Sequence, residues 1–294
     1  MTVSDAPKLE MQMRLGQQLE AIVTRRLASN QLVLPPFPAV ASKCLNLLRI
    51  PNFELPEAAA IIESDPILAA RLLRLANSAA MGGRDTITTI IGAVTRLGSV
   101  KLRGFLVEAS AARLFESSDR RIVEASRGLW AHSVAVARVS RDLMSICGGG
   151  DPEMAYLGGL LHDVGKPIIA SMLLDAERSL AQTSKHSRWI TGDDWIAVVQ
   201  RTHRKVGVEL VERWDLPTEV RAGVRDCGEY DGNDRLSVAN IVRFANAVVK
   251  RRGIYVGPVD KDDTDAMVMI GQSLLGLADK AIERATAGLD KLVT

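Results

Sequence analysis

The sequence has few aromatic residues and almost no alternation of β-branched with polar residues. Phe, Trp and Tyr together make up 4 % of the 294 residues, and β-strands are usually rich in such residues. A fold built on β-sheets is therefore not expected. The three cysteines, Cys44, Cys147 and Cys227, are widely spaced. They form neither a disulfide framework nor a CxxC motif, so we expect a reducing compartment.

The chain also lacks a charge excess and a long apolar run. Its 37 Lys and Arg residues against 35 Asp and Glu give a net charge of +2, which provides no general case for binding a membrane surface or nucleic acid. The first residues, MTVSDAPKLEMQMRLG, lack the basic region and apolar core of a signal peptide. We find no apolar run near the roughly 20 residues that span a bilayer. The simplest expectation is a cytoplasmic protein without a membrane segment.

Ala, Leu, Val and Arg dominate the sequence, and Gly and Pro separate short amphipathic stretches. This composition predicts an all-α fold, a multi-helix bundle. Residues 8–29 are predicted to form a helix, which Pro35, Pro36 and Pro38 separate from the rest. We expect this helix to be an appendage that either caps the main domain or pairs with a second subunit.

Capping residues mark several of the predicted helices. Ser64 or Asp65 precedes Pro66 at a helix start, and Asp85 or Thr86 is the expected cap of a helix over 87–98. Gly98 and Ser99 should end that helix before the next one begins. The buried stripe of the helix that starts at Pro66 is expected to consist of Ile67, Leu68, Leu72 and Leu75.

The most informative stretch is LLHDVGK at 160–166, where an adjacent His162 and Asp163 follow an apolar run. Such a pair is a common way to hold a divalent metal, since it offers one imidazole nitrogen and one carboxylate. His132 lies on the apolar side of a predicted helix, and His203 lies in another. A single His on an apolar face is usually a hydrogen-bonded core residue, so a metal site and a buried polar network both remain open.

These motifs, together with LPPFPAVASKCLNLL at 34–48, ESDPILAARLLRLANSAA at 63–80 and HRKVGVELVERWDLP at 203–217, resemble the HDOD (HD-related output domain) family. HDOD proteins are a branch of the HD superfamily of metal-dependent phosphohydrolases. The resemblance implies an N-terminal helical HDOD subdomain attached to an HD-like bundle. We therefore expect a helical extension at 1–30, an HDOD domain at 31–228, and C-terminal helices at 229–294 that pack on or extend the core.

The resemblance also implies a ligand set, and this chain departs from it. His132, His162, Asp163 and His203 match the family's metal positions, with Lys166 and Asn246 expected to line the cleft around them. Related sequences often carry a His pair where this chain has Asp226-Cys227-Gly228. The later helix offers Asn240 or Asn246 in place of an Asp. A neutral amide oxygen offsets a dication's charge less well than a carboxylate does, so we expect a vestigial or weak metal site.

The incomplete ligand set leads us to expect a non-catalytic signalling module that binds a signalling protein or a nucleotide second messenger. We expect no resident cofactor, and a homodimer is consistent with the helical extension. The alternative is a divergent phosphohydrolase that uses a divalent transition metal to act on a nucleotide or cyclic dinucleotide. Nucleic-acid binding is not expected, because basic residues on helices usually form solvated faces. Its candidates would be Arg71, Arg74, Arg96, Lys101, Arg103, Arg120 and Arg121.

Overall fold

A computed structural model describes residues 33–82, 85–183 and 192–289, together with Glu20, Ala21, Thr24, Arg25 and Ser29. These residues form α-helices and short 3-10 turns, with no β-strand among them, so the all-α prediction is confirmed. Most of the predicted 8–29 helix and the polar segment around His186 lie outside the described residues. The described chain divides into two compact units, residues 36–113 and the remainder.

The 36–113 unit contains four helices. They are α1 (Ala39–Leu47), α2 (Leu55–Glu63), α3 (Pro66–Ala76) and α4 (Ile90–Ala112). Fully buried side chains from all four form its core, among them Cys44, Ile62, Leu72 and Leu102.

Local sequence signals explain the helix ends of this unit, with some corrections to our predictions. Asp65 is the cap of α3, since its side chain accepts hydrogen bonds from the backbone N–H groups of the first turn. Thr89, rather than Asp85 or Thr86, caps α4. Ile67 is 61 % exposed and is not part of the buried stripe, because it lies in the first turn of α3. Gly98, with a φ of 70° and a ψ of 169°, interrupts the helical backbone as predicted, so that two helical segments meet at a kink within α4.

The second unit contains the helices from residue 114 onward. In chain order they are α5 (Val123–Cys147), α6 (Pro152–Leu161), α7 (Gly165–Thr183), α8 (Gly192–Arg213), α9 (Thr218–Arg225), α10 (Val238–Arg251), α11 (Lys261–Leu275) and α12 (Asp279–Ala285). α5 and α6 pack against each other and both pack against α10, while α7 packs against α8. Buried residues of α5, α6, α10, α11 and α12 share one apolar core.

The stretch Pro152–Asp175, which covers α6 and the first half of α7, is long and apolar enough to cross a membrane. Our expectation that the chain has no such run was therefore wrong. However, 78 % of its most apolar window is buried inside the fold. Burial against α5, α9 and α10 accounts for this apolar character, as in the core helix of a soluble domain.

Candidate metal centre and adjoining cavity

The HD pair lies at the end of α6, which begins as the sequence predicts. The Asp151 side chain accepts a hydrogen bond of 2.8 Å from the Glu153 N–H, and Pro152 occupies the first turn. Every residue from Ala155 to Leu161 is buried. This apolar helix carries His162 at its C-cap, and a tight turn then places Asp163 before α7 begins at Gly165.

Gly165 has a specific structural role, because its backbone lies directly against the backbone of α8. A Cβ atom added at this position would clash with the backbone carbonyl of His203. Only glycine allows the two backbones to come this close. The glycine of the HDVGK motif thus brings the fourth candidate ligand, His203, beside Asp163.

The structure brings the three candidate histidines together around Asp163. The Nε2 atoms of His162 and His132 lie 3.3 Å and 3.7 Å from Asp163 Oδ2, and Nε2 of His203 lies 3.4 Å from Oδ1. Donor atoms of His132, His162 and Asp163 all lie within 4.8 Å of one another. Residues separated by up to 71 positions therefore converge on one buried carboxylate.

Each histidine uses its other ring nitrogen to bond a backbone carbonyl. Nδ1 lies 2.7 Å from Ile254 O in His132, 2.7 Å from Gly159 O in His162, and 2.9 Å from Gln200 O in His203. A carbonyl can only accept, so Nδ1 carries the proton in every ring, and Nε2 of a neutral ring presents a lone pair to Asp163. This arrangement orients imidazoles as metal ligands.

Two of these Nε2 atoms, those of His132 and His162, have no hydrogen-bond partner within the described part of the chain. The donor atoms that lie close enough for one transition-metal ion are two Nε2 atoms and one carboxylate, those of His132, His162 and Asp163, and His203 is not among them. This donor set does not supply the several carboxylates with which two-metal sites offset charge.

Lys166 already provides one cation at this position. Its Nζ donates a hydrogen bond of 2.6 Å to Asp163 Oδ2, and the two side chains are only 11 % and 5 % exposed. Burial alone would raise the pKa of Asp163, but interactions with His162 and Lys166 lower it, and the pKa remains well below its ordinary value. Asp163 is thus an ionised carboxylate paired with an internal ammonium group.

His132 is the most strongly perturbed of the histidines. Burial, together with the neighbouring His162, lowers the pKa of its ring to about 3, while Asp163 opposes the shift. The ring is therefore neutral at physiological pH. A neutral ring is also the form that ligates a metal.

The later positions of the family's ligand set are structurally distinct from this cluster. Burial raises the pKa of the Cys227 thiol to about 11, and its Sγ donates to Val224 O, so it is not a thiolate ligand. The amide of Asn240 is fully bonded to the backbone of residues 231–235 and fastens that loop. Asn246 remains, with a buried Oδ1 that has no partner among the described residues.

Sequence reasoning missed Lys250, which lies one turn after Asn246 on the same face of α10. Burial lowers its pKa, the charge of Asp163 raises it, and the charge of Lys166 lowers it. These interactions place Lys250 in the electrostatic environment of the cluster. The i, i+4 spacing from Asn246 was the signal that could have identified it.

An apolar cavity of about 410 Å³ adjoins the cluster, and Lys166 forms part of its wall. The cavity lies between α5, α7 and α8, which supply mainly aliphatic side chains and Trp195. Neither the cavity nor its composition was predicted from the sequence, because its walls come from helices that are distant in the chain.

Several basic side chains that we considered for nucleic-acid binding are bonded to their own unit. Arg96 donates to the carbonyls of Ala76 and Asp85, and Arg103 donates to Leu48 O. These guanidinium groups fasten helix ends and loops of the 36–113 unit.

Comparisons with known proteins agree with the helical architecture. The model of the HDOD domain family matches residues 34–228. An uncharacterised protein of Treponema pallidum (strain Nichols) is 27 % identical over 218 residues, which are 71 % of this chain and 40 % of that relative. The chain thus spans less than half the length of that curated relative.

Solved structures show the same fold at low sequence identity. A protein of Shewanella amazonensis SB2B, named as a candidate metal-dependent phosphohydrolase, is 23 % identical with a TM-score of 0.70, covering 95 % of this chain and 99 % of its own. An HDOD domain protein of unknown function from Geobacter sulfurreducens is 23 % identical with a TM-score of 0.61, covering 94 % and 98 %. A candidate signal transduction protein from Marinobacter aquaeolei VT8 is 22 % identical with a TM-score of 0.62, covering 95 % and 62 %.

Proposed function

Because this chain belongs to the HDOD domain family, we propose that it is a non-catalytic regulatory module that binds a signalling protein or a nucleotide in the cytoplasm. The observation that carries this proposal is the ion pair between Asp163 and Lys166. The single carboxylate of the cluster is already neutralised by an internal cation. The chain has Asp226-Cys227-Gly228 and Asn246 at positions where the family resemblance implies further ligands.

A second candidate function is metal-dependent phosphohydrolysis, and the two unpartnered Nε2 atoms favour it. His132, His162 and Asp163 would hold the metal. When bound, the metal would supply Lewis-acid chemistry at a phosphoryl oxygen and lower the pKa of a bound water. The backbone carbonyls behind the rings keep Nε2 oriented toward Asp163.

The two functions require different behaviour of Lys166. For a regulatory module, the Asp163–Lys166 pair is a permanent part of the core, and its ammonium group keeps the carboxylate neutralised. For a hydrolase, the ammonium group must share Asp163 with a metal or move away from Oδ2. Because Lys166 already donates a hydrogen bond to Asp163 Oδ2, a metal would have to compete with it for this oxygen. That competition supports the regulatory function over the enzymatic one.

Turnover measurements separate these candidates. Purified protein is incubated with Mn²⁺ or Mg²⁺ and with cyclic dinucleotides, ppGpp or deoxynucleoside triphosphates. We expect no hydrolysis above the rate without protein, and no stoichiometric Fe, Mn, Zn or Ni by elemental analysis.

A matched pair of variants makes the measurement decisive. Asp163→Asn removes the central carboxylate, and Asp265→Asn removes an exposed one on α11. Hydrolysis by the wild type that Asp163→Asn abolishes and Asp265→Asn retains would overturn the regulatory proposal. Thermal melts of both variants check that loss of turnover is not loss of folding.

A further inference from the structure

The cavity beside the cluster is too large to be a packing defect. Protein interiors contain few voids larger than a water molecule, whereas this cavity holds about 410 Å³, within the roughly 300–1,000 Å³ of small-molecule sites. Its wall includes Leu129 from α5, Leu174 from α7 and Val199 from α8. A ligand that fills it needs an apolar body.

The rim of the cavity is partly open and carries two large apolar side chains. Ile196 is 38 % exposed, and the neighbouring Trp195 is half-buried. Arg121 also lies at the rim, but both oxygens of Asp119 accept hydrogen bonds from its guanidinium group. That pairing leaves the rim without a strong net charge.

The charge within the cavity wall comes from Lys166. An ammonium group has three N–H donors, and among the described residues Asp163 is the one side chain that accepts from it. Two of its N–H groups therefore remain available to hydrogen-bond an anion at this end of the cavity.

We infer that this cavity binds a small amphipathic anion whose head group contacts Lys166 and whose apolar body lies against Leu129, Leu174 and Val199. The inference goes beyond the proposed regulatory function, because it assigns this cavity a ligand that is neither a protein nor a nucleotide. The shared chemistry is a carboxylate or phosphate head on an apolar chain. A nucleotide base is polar and would make few apolar contacts with the aliphatic wall of the cavity.

Calorimetric titration of the full chain with defined probes tests this assignment. The probes are decanoate, decyl phosphate, decyltrimethylammonium and adenosine monophosphate, each below its micelle concentration. We expect decanoate or decyl phosphate to bind one-to-one, roughly tenfold or more tighter than the cationic decyl probe. The tighter of the two anions identifies the head group. Equal binding of the cationic probe, or binding of adenosine monophosphate without either decyl anion, would overturn the inference.

Paired variants locate the site. Ala170→Phe places a ring in the cavity and should weaken anion binding roughly tenfold or more, whereas Met269→Phe, on an exposed position of α11, should not. Lys166→Met should weaken anion binding, whereas Lys280→Met on the surface of α12 should not. Binding that survives both Ala170→Phe and Lys166→Met refutes this site. That result would leave the regulatory proposal intact, because only the hydrolysis measurements test that proposal.

Discussion

Replacing Lys166 with methionine tests whether its ammonium group is the counter-ion that allows Asp163 to remain buried and charged. The side chains are 11 % and 5 % exposed, and the Nζ–Oδ2 distance is 2.6 Å. Methionine preserves most of the apolar stem but leaves the carboxylate without a cation. Breaking a buried pair by removing one partner typically costs about 3–5 kcal/mol, and we expect a loss of that order at pH 7.

Thermal unfolding measures this loss directly. One kcal/mol shifts Tm by about 2–4 °C in domains of 150–250 residues, so Lys166→Met should melt on the order of 10 °C below the wild type. Lys280→Met is the matched control, because Lys280 is exposed on α12. Its Tm should stay within about 1 °C of the wild type, as for most surface substitutions.

The double variant and a metal distinguish lost charge pairing from lost packing. Asp163→Asn combined with Lys166→Met removes both charges, so the double variant should be more stable than the sum of the single losses predicts. A divalent ion such as Mn²⁺ or Zn²⁺ should raise the Tm of Lys166→Met more than that of the wild type, because it supplies the missing positive charge.

Two results would refute this reasoning. Additive losses in the double variant would mean that the two groups do not stabilise each other. A wild-type protein that gains as much Tm from the metal as Lys166→Met does would mean that Lys166 does not compete for the site. The second result would also favour the phosphohydrolase function.

Three further predictions concern neighbouring features. Burial lowers the folded-state pKa of His132 to about 3, below the roughly 6.5 of an unfolded chain, so the unfolded chain binds more protons between these values. Stability should therefore fall by about 1.4 kcal/mol per pH unit as the pH drops from 6.5 to 5. In urea unfolding, His132→Gln should flatten that slope, and an unchanged slope would contradict the assigned shift. Gly165→Ala should cost about 1–3 kcal/mol through its clash with the α8 backbone, whereas Gly232→Ala, which meets no atom within 4 Å, should show no such loss in the same assay. In the native protein, an alkylating reagent followed by peptide mapping should modify half-buried Cys147 before buried Cys227, since burial limits thiol reactivity; the reverse order would refute it.

The helical periodicity of the sequence was sufficient to predict much of the site. The spacing of apolar residues placed His132 on the inner face of α5, and Asp151-Pro152 located the start of α6. The resemblance to the HDOD family then identified which distant histidines belong together. Periodicity fixes the face on which a residue lies, but not the helix that it meets.

Features that depend on side-chain geometry were not predictable in this way. The i, i+3 spacing of Asp163 and Lys166 permits an ion pair, but their burial depends on α5, α8 and α10 closing around them. The role of Gly165 depends on the position of a carbonyl 38 residues later. The cap of α4 was predicted wrongly for a local reason. Asp85, Thr86 and Thr89 are all suitable residue types for a cap, and the path of the preceding loop decides which of them caps the helix.

The hydrogen bonds of the three rings separate what the fold requires from what it does not. His132 Nδ1 joins α5 to Ile254 O, 122 residues away, so this contact alone gives the ring a structural reason to be retained. That contact does not explain why Nε2 is buried. A buried polar atom without a hydrogen-bond partner lowers the stability of the fold by about 1–3 kcal/mol. A purely structural position would be better filled by a residue with one polar group. The two adjacent rings whose Nε2 atoms have no partner among the described residues are therefore the part of the cluster that the fold alone does not explain.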